Sequence, residues 1–290
     1  MAQRSDPADN PRYSIMTINM NGPSAKKGTA KRRRKLLSRT FESSPSDIVF
    51  CQETCPGFEE LMAAPENFKI ANTGKEAAVI WSTKHFNGSQ DGLKATDRQI
   101  RTIRNEICEQ NEDVSELLSK IAMAKLTPRL QSTDSILAVS FHGPHNRFTG
   151  EKKKRVFLSL LKFLDKVIEE KNIRSYIIGG DFNFDTSTIT ELPNLPEDVV
   201  VGSYELSPRS QDRIGPFIPY KDNFIYYPEP NLNVLLIKAI DLDRIDPEDS
   251  FLLDHDPIVG MLHFTPQTKE GSPSEDVETL SKDLKRWKPF

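Results

Sequence analysis

The sequence has little cysteine, no long apolar run and no excess of one charge, and each shortage closes off a class of protein. Three cysteines, Cys51, Cys55 and Cys108, are odd in number and too few to staple a disulfide scaffold, which fits a reducing compartment. No apolar run approaches the roughly 18 residues that would cross a bilayer. Met1 to Met20 lack the charge, apolar stretch and small-residue cleavage site of a signal peptide. The expectation is an intracellular protein, cytoplasmic or nuclear, with no membrane span. Lys and Arg number 39 against 42 Asp and Glu, a net charge of −3, which excludes a histone-like or polybasic binder. No internal repeat recurs at a period of about 20 to 50 residues.

What the sequence does hold is a core. Of 290 residues, 37% are hydrophobic, and 20 prolines against 14 glycines, with a mean hydropathy of −0.52, point to a water-soluble domain with many ordered, irregular loops. One domain is expected over 13–265, preceded by a loose segment at 1–12. From Thr265 onward Gln, Lys, Glu, Ser, Pro and Asp dominate, so 266–290 reads as a polar, loosely packed tail despite Trp287.

Short apolar runs rich in β-formers mark strands buried on both faces, and four of them end alike. Ile15–Ile18 runs into Asn19-Met20-Asn21-Gly22, and Asp47–Cys51 into Gln52-Glu53. Ile136–Phe141 runs into His142-Gly143-Pro144-His145, and Tyr176–Ile178 into Gly179-Gly180-Asp181-Phe182-Asn183. Two later runs reverse the order, with Asp222 before Phe224–Tyr227 and Asp254-His255-Asp256 before Ile258–Leu262. If those two run antiparallel to the first four, all six polar groups gather along one edge of mixed sheets. Ile121–Leu126 and the strand at Ile136 read as a hairpin with a long loop. Thr29 begins a helix through Lys31–Leu37, and Val156–Lys171 is a second, with one apolar stripe at 157, 160, 161, 164, 167 and 168.

Asp181 and Asn183 stand two apart after a strand and so project to one side, while Gly179-Gly180 admits another group close to the backbone. Glu53 and Asp254 add carboxylates, and Asn19 and Asn21 add amide oxygens. This all-oxygen set suits a hard cation, magnesium or manganese, and not zinc. His142 and His255 are candidate acid, base or phosphate-binding groups because imidazole titrates near neutrality. His145 and His263 read as structural or exposed. A Cys51/Cys55 metal pair lacks partners at useful spacing, and Cys51 reads as a buried thiol.

Taken in order, Ile18-Asn19-Met20-Asn21-Gly22, Cys51-Gln52-Glu53-Thr54, Phe141-His142-Gly143-Pro144, Gly180-Asp181-Phe182-Asn183, Asp222 before its strand and Asp254-His255-Asp256-Pro257 resemble the endonuclease/exonuclease/phosphatase superfamily of deoxyribonuclease-I-like phosphoesterases. The resemblance implies a four-layer α/β sandwich, two packed mixed sheets flanked by helices. It implies Glu53 as principal metal ligand, Asn19 or Asn21 near the ion, and Asp254 completing or orienting the site. Asp181 would align or deprotonate the attacking water, and Asn183 would hold the scissile phosphate. His255, oriented by Asp222, would polarise a phosphoryl oxygen, and His142 resembles the histidine of the deoxyribonuclease branch that acts on the leaving group or the phosphate. Two positions depart from the pattern: Leu253 stands where serine is common, and Ile18 where an aromatic is.

The resulting expectation is a monomeric, magnesium-dependent hydrolase of phosphodiesters in nucleic acid. Two other readings stay open, a phosphatase of inositol phosphates, phospholipids or nucleotides, and a catalytically silent binding module. The basic runs Lys31–Lys35 and Lys152–Arg155 oppose the dipole at a helix start. They read as solvated surface, as attraction for a phosphate-rich substrate or, for the first, as a nuclear-import signal. The charged segment Lys84–Lys120 is the least legible and is a candidate for shaping the substrate mouth.

Overall fold

Each apolar run becomes a strand because its alternate side chains find apolar cover on both faces. The computed structural model describes residues 11–22, 29–54, 67–74, 76–110, 117–130, 135–145, 148–208, 218–227 and 232–264. The terminal segments 1–10 and 265–290, and Cys55, lie outside the described residues. The first sheet has the spatial order β11 (Leu232–Ala239), β12 (Ile258–Phe264), β1 (Arg12–Asn19), β2 (Ile48–Gln52), β4 (Ala77–Ser82), β3 (Phe68–Thr73). The second runs β5 (Phe86–Ser89), β6 (Ile121–Pro128), β7 (Ile136–His142), β8 (Ser175–Asp181), β10 (Asp222–Tyr227), β9 (Val200–Val201).

Both sheets are mixed and built alike. A central parallel pair, β1 with β2 and β7 with β8, is flanked by antiparallel strands, β12 and β4 in one sheet and β10 and β6 in the other. A parallel pair needs a crossover, and a helix supplies it in each case: α1 (Thr29–Ser43) joins β1 to β2, and α3 (Gly150–Glu170) joins β7 to β8. The registers then fix the site. Asn19 lies opposite Gln52, His142 opposite Asp181, and Asp222 opposite Asp181 on its other side.

Three apolar clusters make the layers. Ile15, Phe50, Val79, Trp81 and Phe224 fill the space between the sheets. Phe157, Leu160, Leu161 and Leu164 of α3 pack with Ile100, Ile103 and Ile107 of α2 (Arg98–Gln110) on the second sheet, and Leu36 and Leu37 of α1 pack on the first. The expected four-layer sandwich is therefore present. A Cβ on Gly179 would meet the Phe50 ring at 2.4 Å, so it is the facing sheet that the glycine admits.

The helices run longer than their stripes. α3 starts at Gly150, capped by Thr149, whose hydroxyl accepts from Lys152 N, because a charged first turn carries no apolar signal. α1 continues past Leu37, where Thr40 Oγ1 donates to Leu36 O at 2.9 Å. Leu253 takes no polar role: fully buried, it packs with Leu36 and Leu37. Where described, Lys84–Lys120 forms β5, α2 and a 3-10 turn at Leu117–Ser119. No helix among the described residues is long and apolar enough to cross a membrane.

Candidate active site

Six polar groups reach one edge of the two sheets because the parallel strands end there and the antiparallel ones begin there. Three of them need unusual backbone. Asn21, Glu53 and Asn183 have φ of 50°, 45° and 57°, the left-handed region that asparagine tolerates and glutamate ordinarily avoids. Each is held by its neighbours: Asn21 N donates to Asn19 Oδ1 at 2.7 Å, Glu53 N to Glu76 O at 3.1 Å, and Asn183 N to Asp181 Oδ1 at 3.0 Å. Gly143 lets the β7 and β8 loops touch, since a Cβ there would lie 2.3 Å from Phe182 O.

Asn19 is the seam between the sheets. Its Nδ2 donates to Asp181 Oδ2 at 3.0 Å and to Glu53 Oε1 at 3.3 Å. Asn19 thus spaces two carboxylates, while its Oδ1 accepts from Asn21 N and keeps a second lone pair. Asn21 Nδ2 donates to Leu252 O at 3.3 Å, so Oδ1 is the atom of that amide available to a cation. Behind them Gln52 Nε2 bridges to Ser140 Oγ at 3.0 Å and Gly179 O at 3.3 Å, a second polar tie across the core.

Each imidazole sits with a carboxylate. His255 Nδ1 lies 2.8 Å from Asp222 Oδ2 and 3.6 Å from Asp181 Oδ2. Burial alone would lower its pKa, but the charges of Asp222 and Asp181 outweigh that and raise it to about 10. Lys221 Nζ contacts Nε2 on the other side of the ring. His142 Nδ1 lies 2.9 Å from Glu76 Oε2. Burial again lowers and Glu53, Glu76 and Asp181 raise, bringing His142 to about 9. The close approach of His142 leads the causes that depress Glu76, to about 2, and Glu53. His142 Nε2, 3.4 Å from Glu53 Oε1, is buried without a hydrogen-bond partner.

Burial favours protonated Asp181, yet His255, Lys221 and His142 together keep its pKa below the usual value. Asp222 goes the other way, raised by burial and by the charge of Asp181 despite its bond to His255. Asp254 is more than half exposed, with Oδ2 3.5 Å from His255 Nε2; burial works against ionisation there, but the bond to His255 and its charge dominate and lower the pKa. Among the described residues, two groups hold ligating atoms within 4.8 Å of one another, Glu53/His142/His145 and Asp181/Asp222/His255. Asp254 is in neither.

Several site residues escaped the sequence reading. Glu76, from the turn before β4, pairs with His142 and with Lys120 Nζ at 2.7 Å; no motif surrounds it, and its role comes from the β2–β4 pairing. His145, expected to be structural or exposed, is half exposed but stacks edge-on against His142 with centroids 4.4 Å apart. The basic runs are not only surface. Arg33 is buried and donates to Gly22 O at 2.8 Å and to Asn21 O, and buried Lys153 donates to Asn183 O at 2.8 Å. One cation from each run thus holds the loop bearing a left-handed asparagine.

No family model matches the sequence, and no curated protein matches it. Solved structures do. D. rerio TDP2 complexed with single-strand DNA product superimposes with a TM-score of 0.62 at 14% identity, covering 87% of this chain and 99% of that one. An endonuclease/exonuclease/phosphatase from Bacteroides vulgatus gives 0.61 at 15% identity, covering 88% and 100%. A mannosyl-6-phosphatase of Bacteroides thetaiotaomicron gives 0.59 at 12% identity, covering 87% and 99%. At such identities the likeness is one of architecture, and it extends over nearly the whole of each protein: the chain has the endonuclease/exonuclease/phosphatase fold.

Proposed function

We propose that this protein is a divalent-metal-dependent phosphoesterase that hydrolyses phosphodiesters in nucleic acid by in-line attack of water. The observation that carries the reading is the convergence of Glu53, Asn19, Asp181 and Asn183 between two carboxylate-bound imidazoles, His142 on Glu76 and His255 on Asp222. Anionic carboxylates face where a cation would bind, and cationic rings face where a phosphate would. The donor set fits magnesium or manganese: ionised Glu53 would be the principal ligand, with the Asn21 amide oxygen and Asp254 as further hard donors. When bound, the ion would neutralise phosphoryl charge. The unpartnered Nε2 of His142 beside Glu53 is the gap that a substrate oxygen would fill.

The chain's own groups divide the remaining work. Asp181, kept ionised by its cationic neighbours, aligns the water; a carboxylate of lowered pKa is a better orienter than base. Asn183 keeps one amide hydrogen on Gly143 O at 3.0 Å and has a second for a phosphate oxygen. His255 stabilises phosphoryl charge while Asp222 fixes its ring. His142, with a proton at Nε2 below its raised pKa, delivers that proton to the leaving oxygen. The test is magnesium-dependent turnover of DNA, RNA and inositol phosphates by wild type, Glu53→Ala and Asp181→Asn. Hydrolysis of nucleic acid, with a fall of about 10²–10⁴-fold in each variant, is expected; turnover of inositol phosphates alone would overturn the nuclease reading.

That second reading has support of its own, since a mannosyl-6-phosphatase shares the fold and the net charge of −3 is unusual for a nucleic-acid binder. A silent binding module predicts that magnesium changes neither melting temperature nor activity. Every proposed catalytic position is filled, which argues against it.

A further inference from the structure

We propose that two aromatic–cation pairs, Phe251 with Arg32 and Phe148 with Lys152, edge the site and bind single-stranded nucleic acid on either side of the scissile phosphate. The inference rests on the phosphodiesterase reading and names its substrate. Phe251 is 64% exposed and is the one aromatic among the exposed large hydrophobic residues described. A single exposed apolar side chain is ordinary; its placement is what signifies. Phe251 adjoins Leu252, whose carbonyl accepts from Asn21, and stands three residues before Asp254. The Arg32 guanidinium lies 5.7 Å from its ring centroid and is itself anchored to Asp249 and to Glu248 O at 3.3 Å. The ring is thus held beside the site with surface to spare.

The second sheet carries a related pair on a ring that is only partly exposed, Phe148. Lys152 Nζ lies 5.3 Å from the Phe148 centroid, and Phe148 N donates to His145 O at 3.1 Å, one turn from the ring that stacks on His142. Both cations come from the first turn of a crossover helix, and in both runs the next residue, Arg33 or Lys153, is the buried clamp on a site loop. Rings offer stacking faces to bases, and the flanking runs offer charge to phosphates. Only an unpaired strand can present base faces to rings on two sides of one phosphate, since a duplex keeps them in its stack.

The experiment compares wild type, Phe251→Ala, Phe148→Ala and Phe251→Trp on a short single-stranded oligonucleotide, its duplex, and bis(p-nitrophenyl) phosphate, a diester without bases. Preference for the single strand is expected. Each alanine variant should raise KM on it by about tenfold, stacking being worth that much per base, with kcat within about twofold and bis(p-nitrophenyl) phosphate turnover unchanged, while Phe251→Trp keeps the wild-type KM. Unchanged turnover of the small diester also shows that the variants fold. An unaltered KM in both alanine variants, or a duplex cleaved at least as well as the single strand, overturns the proposal. Wild-type hydrolysis of the small diester but of neither oligonucleotide also overturns it and leaves metal phosphoesterase chemistry standing. No turnover of any phosphoester brings down the underlying reading instead.

Discussion

The two sheets bring different chemistry to one edge. From the first come oxygens open to the solvent side, Asn21 and the partly accessible Glu53, on a loop and a strand end bent into left-handed backbone. From the second come the buried groups, Asp181, Asn183 and Asp222, each with side-chain bonds already made. A cation binds where carboxylates keep a face to water, whereas a water molecule or phosphate is oriented where the polar groups are fixed beforehand. On the proposed function, similar halves would thus carry unlike tasks, and Asn19 joins them.

The widest separation should come from breaking each half alone. Asp181→Asn removes the carboxylate proposed to orient the water, and kcat/KM should fall by about 10³-fold at every magnesium concentration. Glu53→Gln should lose a similar factor at low magnesium and recover at least tenfold as magnesium is raised, because the loss is one of affinity. Steady-state kinetics across a magnesium titration check both; recovery in Asp181→Asn would show that the halves are not divided in this way. Glu76→Gln should cost less, about 10²-fold. It removes one of the carboxylates that, with Glu53 and Asp181, raise the His142 pKa, so the alkaline limb of the rate profile should move to lower pH. A lower rate with an unmoved limb would make Glu76 only a scaffold residue.

The same pairs make stability depend on pH. His142 and His255 have folded pKa values raised to about 9 and about 10 from 6.5. A raised pKa contributes stability that is complete below about pH 6.5 and is lost as pH climbs through the folded value. With chelator present, the unfolding free energy of wild type should therefore decline from pH 6.5 to 10, by on the order of 3–4 kcal/mol for each imidazole, and the melting temperature with it. His142→Gln should roughly halve the slope of that decline below about pH 9, where His255 still contributes, and keep the part above it. A profile that rises over this window would reverse the assignment of charge.

How much of this could be read beforehand follows from where the signals lie along the chain. Asn19, Glu53, Asp181 and His255 follow or precede apolar runs, so local order announces them, and the reversed order at Asp222 and Asp254 even gives the antiparallel strands. Glu76 and Lys153 have no such marker. Glu76 reaches His142 only through strand pairing across 66 residues, and Lys153 looks like any surface lysine until α3 packs and turns it inward. The α2 stripe of Ile100, Ile103 and Ile107 is narrow and sits among arginines, so periodicity is weak there. Single strands such as β4, whose six residues are all buried, are apolar enough but end in no polar group that draws notice.

The smallest effects test whether the halves are held equally. Lys153→Met takes one donor from Asn183 O but also removes a buried charge whose desolvation offsets part of the loss; about 1 kcal/mol of stability should go. Arg33→Met takes donors from two carbonyls, Asn21 O and Gly22 O, and should cost about 2 kcal/mol. Their kinetic signatures should part more clearly than their stabilities. If Asn183 holds the phosphate as proposed, loosening it should lower kcat in Lys153→Met, whereas loosening Asn21, the proposed cation ligand, should raise the magnesium concentration for half-maximal rate in Arg33→Met with kcat nearly restored at saturation. Denaturant unfolding and the magnesium titration together decide it, and identical signatures in the two variants would mean that the clamps support one shared framework instead of two separable halves.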